Sequence, residues 1–122
     1  MKICVTSYGK TLDSEIDPRF GRCANFLIID TETLNCESLE NIDSDSKGAA
    51  GIKAGQLIAE KNVDALITGN VGPNAFQVLS EAGIKVISGV SGIVKDAVEK
   101  YKKGEFQPVN QATVESHFGQ SK

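Results

Sequence analysis

Five residues, Thr31-Glu32-Thr33-Leu34-Asn35, separate two runs that read as β-strands, Phe26–Asp30 and Cys36–Ile42. A link this short cannot carry a parallel crossover, so the two runs pair as an antiparallel hairpin. Upstream, the apolar and β-branched run Lys2–Ser7 reads as a buried strand. After Ile42 the period changes. Ala50, Ala54, Leu57, Ile58 and Lys61 recur at helical spacing, which predicts a helix over 49–61. Asp64–Thr68 returns to a short strand. Pro73 stands where a first-turn proline belongs, ahead of the stripe Ala75, Phe76, Leu79 and Ala82, and Gly83 ends that helix. Lys85–Ser88 is a fifth strand, and Val94, Ala97, Val98 and Tyr101 mark a last helix that stops at Gly104.

Three strands followed by helix, strand, helix, strand, helix leave few topologies. Right-handed crossovers set strands four and five parallel to a neighbour, while the first three form an antiparallel meander. The expected architecture is α/β, a mixed five-stranded sheet flanked by helices in three layers, in the manner of the ribonuclease H-like fold. Residues 1–106 form the one domain that 122 residues allow. Residues 107–122, with Pro108, Gly119 and an isolated His117, read as an extended, mobile tail.

Composition narrows the function. An apolar fraction of 40% argues against disorder, and a net charge of -3 gives no reason to expect duplex nucleic acid. No apolar run approaches the roughly 20 residues of a membrane span, and the N-terminus enters a strand with no leader pattern. Three cysteines without short paired spacings fit a reducing cytoplasm.

With these strand directions, four loops leave one edge of the sheet: 8–23, 44–48, 69–72 and 88–92. The last three feed helix N-termini, whose N–H groups and dipoles favour an anion. Gly9, Gly48, Gly69, Asn70, Gly72, Gly89 and Gly92 are therefore candidate ligand-binding positions. Tight turns demand glycine for steric reasons as well, and no phosphate-loop or dinucleotide motif is complete. The densest chemistry is Asp17-Pro18-Arg19-Phe20-Gly21-Arg22-Cys23. Arg19 and Arg22 are candidate anion ligands, expected to matter little for stability, and Phe20 is the expected anchor of the loop. Cys23 reads in two ways: a thiolate favoured by the guanidinium groups and able to ligate a soft metal, or a buried thiol opening strand two. Asp13, Glu15 and Asp17 solvate the loop or pair with Arg19 or Arg22. Cys4 reads as a core residue and Cys36 as incidental at the opposite edge, and His117 alone assembles no zinc site. No acid–base or nucleophile set appears. The first strand carries no carboxylate for a metal-dependent nuclease, and Asp30 falls at the edge away from the loops.

The blocks Asp17–Cys23 followed by Phe26, Gly48-Ala49-Ala50-Gly51-Ile52, Gly69-Asn70-Val71-Gly72-Pro73-Asn74-Ala75 and Gly83-Ile84-Lys85-Val86 resemble the dinitrogenase iron–molybdenum cofactor biosynthesis family over residues 1–106. The resemblance implies a small cytoplasmic domain of ribonuclease H-like fold. It also implies a non-catalytic carrier for an iron–sulfur or iron–molybdenum type cofactor or precursor, with a possible protein partner in cluster assembly. Relatives often carry histidine in or near the Arg-Phe-Gly motif, where this chain has Arg22 and Cys23. The alternative is a binder of a nucleotide, a phosphorylated metabolite or a partner protein through the glycine-loop rim, without metal.

Overall fold

The structure is a computed structural model that describes residues 1–42 and 50–109. Its elements follow the order β1 (Lys2–Ser7), β2 (Asn25–Asp30), β3 (Cys36–Glu40), α1 (Ala50–Glu60), β4 (Ala65–Ile67), α2 (Pro73–Glu81), β5 (Lys85–Ile87) and α3 (Val94–Lys102). The strands form one sheet in the order β3-β2-β1-β4-β5. β1 pairs antiparallel with β2 and β2 with β3, whereas β4 runs parallel to β1 and β5 parallel to β4. This is the expected mixed sheet, compatible with the ribonuclease H-like arrangement. Boundaries differ from the sequence reading by one or two residues, as strand and helix ends do.

Side-chain alternation sorts the core into two layers. Cys4, Phe26, Ile28, Leu66 and Val86 face α1 and α2, packing on Ala54, Ile58, Ala75 and Leu79. Ile3, Val5, Leu27, Ile29, Ala65, Ile67 and Ile87 face the other way, onto α3 through Val94, Ala97 and Val98. β1 is therefore covered on both faces, which explains its unbroken apolar run. At the lower edge, Asp30 Oδ1 accepts the N–H groups of Glu32 (2.8 Å) and Thr33 (3.3 Å), closing the β2–β3 hairpin. These bonds hold the Asp30 carboxyl below its usual range.

The chain runs past residue 106 without leaving the sheet. Phe106 packs on the α3 layer, and Val109 donates its N–H to Val86 O at 2.8 Å, an antiparallel bridge on the outer edge of β5. Residues 110–122, including His117, lie outside the described residues, as does the loop 43–49 with Gly48.

Candidate functional site

The strand directions bring the loops after β1, β4 and β5, and the point where the chain leaves β3, to the carboxyl edge of the sheet. Asp17 stands at their junction. Its N–H donates to Thr6 O (3.0 Å), and its own carbonyl accepts the Thr6 hydroxyl (2.6 Å), which also meets the Thr68 hydroxyl at 2.7 Å. The loop after β1 is thereby tied to the ends of β1 and β4. Pro18 and Asn70 continue the tie. Asn70 N–H donates to Pro18 O (2.8 Å), Phe20 N–H donates to Asn70 O (3.3 Å), and Arg19 and Asn70 form a parallel bridge. Gly69 is needed for this approach, because a Cβ there would lie 2.5 Å from Pro18 Cβ and 2.9 Å from its carbonyl oxygen.

The Asp17 side chain is fully buried and gathers four N–H donors. Arg19 supplies its backbone N–H (3.1 Å), Nε (3.0 Å) and Nη2 (2.9 Å), and Ala24 supplies its N–H at 3.2 Å. The hydrogen bond and charge of Asp17 raise the Arg19 pKa further, so the guanidinium stays charged. Unlike its carboxylate partner, the Arg19 side chain is 58% exposed, and its Cζ lies 6.0 Å from the centroid of the Tyr8 ring. Sequence reading placed both arginines at the rim as ligands with little part in stability. For Arg19 the fold corrects that expectation, because a buried carboxylate depends on it.

Below the rim, Phe20 is buried and meets Phe26 edge-on, with centroids 6.0 Å apart and planes at 63°. It anchors the loop as expected. Gly21, at φ 95°, sits so close to the start of α1 that a Cβ would come within 2.9 Å of Gly51 Cα. Asn41 Nδ2 donates to the carbonyls of Gly21 and Cys23, both at 2.9 Å, locking the turn from β3.

Cys23 lies inside that turn with no solvent exposure. Burial, followed by the negative charge of Asp17, pushes its thiol up to about 12. The guanidinium-stabilised thiolate is thus not what the fold supplies. Arg19 spends its charge on Asp17, and the sulfur faces Phe20, Phe26 and the rest of the core rather than the rim. Burial likewise raises Cys4 well above its ordinary value, while Cys36 is exposed at the far edge.

Among the described residues, the glycine loops after β1, β4 and β5 do not form one open cradle. Gly89 spends its N–H on Gly69 O (2.7 Å), and Gly92 O accepts the N–H of Ile16 (2.8 Å). The first N–H groups of α3, from Val94 and Lys95, donate to Ser14 O and Leu12 O at 2.9 Å. The β1 loop itself caps α3, so that N-terminus is closed to an anion. Gly9 donates to Ser7 Oγ at 3.2 Å on the same side. By contrast α2 begins at Gly72 and Pro73 with no side-chain cap, next to exposed Asn70 and Asn74. Among the described residues, the part of the rim not closed by such caps is the α2 side, with Arg19 at the seam and exposed Arg22 in the Gly21 turn.

Residues 1–104 match the protein family described as "Dinitrogenase iron-molybdenum cofactor". The chain belongs to the dinitrogenase iron–molybdenum cofactor family. The apo form of the orange protein from Desulfovibrio gigas shares 38% identity and superposes with a TM-score of 0.88, covering 92% of this chain and 95% of its own. A candidate NifB protein from Thermotoga, of the DUF35 family, is also 38% identical, with a TM-score of 0.79 over 92% of this chain and 96% of its own. An uncharacterized protein of Methanocaldococcus jannaschii is 29% identical over 98 residues, 78% of this chain and 83% of that protein.

In this family member no group of three or more His, Cys, Asp or Glu side chains is placed to hold a metal ion among the described residues. Among them no helix is long and apolar enough to cross a membrane. Asp30, the carboxylate weighed for nuclease chemistry, caps the hairpin at the edge away from the rim. Two features of the site escaped sequence reading, the depth of Asp17 and the clamp from Asn41. The Asp-Pro-Arg spacing that lets an aspartate fold back on the second residue after it was a usable signal for the first. Asn41 carried none, since its targets lie 18 and 20 residues upstream.

Proposed function

We propose that this protein is a non-catalytic carrier that binds a metal–sulfur cofactor or its precursor as an anion, on the α2 side of the carboxyl-edge rim. The observation that carries the reading is the Arg19 guanidinium, charged, solvent-facing and braced by a buried carboxylate, in a chain of this family. Sulfide-bridged clusters are anionic, and charge-assisted hydrogen bonds from arginine suit them. Arg22, Asn70 and the uncapped start of α2 at Gly72 extend the same surface. Cys23 serves as floor rather than as metal ligand, because ligation would require its proton to leave and its sulfur to quit the core. Cargo held by charge and hydrogen bonds, without a covalent metal–protein bond, is readily handed on, as a carrier requires. A protein partner in cluster assembly would take the cargo from this rim.

Anaerobic loading with iron and sulfide, or with tetrathiomolybdate, should yield a stoichiometric chromophore that survives gel filtration. Cys23→Ser should keep that chromophore and Arg19→Ala should lose most of it. A protein that stays colourless after loading, yet is stabilised against heat by nucleotides, would overturn this reading in favour of a metal-free nucleotide binder.

A further inference from the structure

We propose that Asp17 is a positioning residue that turns Arg19 into a fixed fork for a tetrahedral dianion, a reading that rests on the carrier function above. Asp17 grips one edge of the guanidinium, Nε at 3.0 Å and Nη2 at 2.9 Å. A guanidinium gripped along that edge keeps three N–H bonds, two of which, one on Nη1 and one on Nη2, lie parallel on its terminal edge. Among the described residues Nη1 has no protein partner, and the side chain is 58% exposed while the carboxylate is fully buried. That terminal edge belongs to a side chain more than half in solvent, and it has the spacing that receives two anionic atoms of one centre. The carboxylate cannot drift, because Asp17 N–H and C=O are bound to Thr6 and the Ala24 N–H holds Oδ2. Arg19 cannot drift either, since its backbone bridges to Asn70. The fork thus enters binding with its side-chain freedom already spent, which favours affinity for an oxo- or thio-anion of tetrahedral shape.

Asp17 and Arg19 cancel in net charge, so the pair supplies direction more than attraction, and that makes the idea testable by sign. If charge alone bound the anion, deleting the Asp17 charge would tighten binding. If positioning matters, deleting it should weaken binding. Titration calorimetry with tetrathiomolybdate under anaerobic conditions should show Asp17→Asn weaker than the parent by about tenfold or more, the loss expected when a charge-assisted fork is no longer held. Asp13→Asn, which removes a charge from an exposed position of the same loop, should bind slightly tighter. Arg19→Lys keeps the charge and lacks the fork, and should also lose about tenfold. Circular dichroism establishes that each variant is folded.

Binding by Asp17→Asn equal to or tighter than the parent would overturn the positioning role while leaving the carrier function intact. Should Asp17→Asn fail to fold, Arg19→Lys decides, and an affinity within about twofold of the parent refutes the fork. Absence of any tetrathiomolybdate binding by the parent protein would instead remove this inference, and the carrier function falls with it only if loading with iron and sulfide also leaves the protein colourless.

Discussion

Deleting the Arg19 side chain should destabilise the domain by about 1–3 kcal/mol, although more than half of that side chain lies in solvent. Arg19→Ala removes two of the four N–H donors to the fully buried Asp17 carboxylate, together with the cation paired to it. Stripping one partner from a fully buried ion pair costs about 3–5 kcal/mol. Two circumstances reduce that figure here. The backbone N–H groups of residue 19 and Ala24 still reach the carboxylate, and water can enter where the exposed guanidinium stood. What remains is the difference between a charged fork and one or two water molecules, each worth less than a charge-assisted bond. In a domain of this size about 2 kcal/mol corresponds to a fall in Tm of roughly 6–10 °C. Urea denaturation followed by circular dichroism measures the loss, and the cycle with Asp17→Ala isolates the pair. The coupling energy should be about 1–3 kcal/mol and should change little between low and high salt, because one partner is buried. A variant within about 0.5 kcal/mol of the parent, with no coupling in the cycle, would show that backbone donors alone satisfy Asp17.

Phe20→Ala should cost about 2–4 kcal/mol in the same denaturation assay, below the full phenylalanine range because the ring lies at the end of the core. A loss under about 1 kcal/mol would mean that the loop does not rest on it. Gly69→Ala should lower stability by about 1–3 kcal/mol, since its Cβ would meet Pro18 at 2.5 Å, and parent-like melting would show that the two loops part freely. Of the three cysteines, Cys36 should react with a disulfide reagent in the folded protein, whereas Cys4 and Cys23 should react only on unfolding. Two fast thiols would contradict the burial of Cys23. With its folded pKa about 12 against an ordinary 9.0, Cys23 contributes stability that is present below pH 9 and lost as pH rises towards 12, because the unfolded chain ionises first. Cys23→Ala should flatten the alkaline fall in urea stability, and an unchanged slope would refute the linkage.

Most of the architecture was legible in the order of residues, because it depends on local quantities. The length of the link 31–35 dictates an antiparallel turn, the switch from continuous apolar runs to helical spacing after Ile42 dictates crossovers, and crossover handedness sets β4 and β5 parallel. Strand direction in turn told which loops share an edge. Phe20 could be read as an anchor for the same reason, being an apolar side chain isolated in a polar loop. What tertiary structure decided was which polar groups face water. Asp17, Arg19 and Cys23 lie within seven residues and look alike in exposure along the chain, yet the closing of the β1 loop onto Thr6, Thr68 and Asn70 buries the carboxylate and the thiol and leaves the guanidinium outside. It also decided that the Ser14 and Leu12 carbonyls cap α3 while α2 has no side-chain cap, so among the described residues glycine loops that look alike in sequence differ in what they leave for a ligand. Burial, and with it the charge state of a thiol or the partner of an arginine, is set by contacts between segments distant in sequence, and no local pattern encodes those contacts.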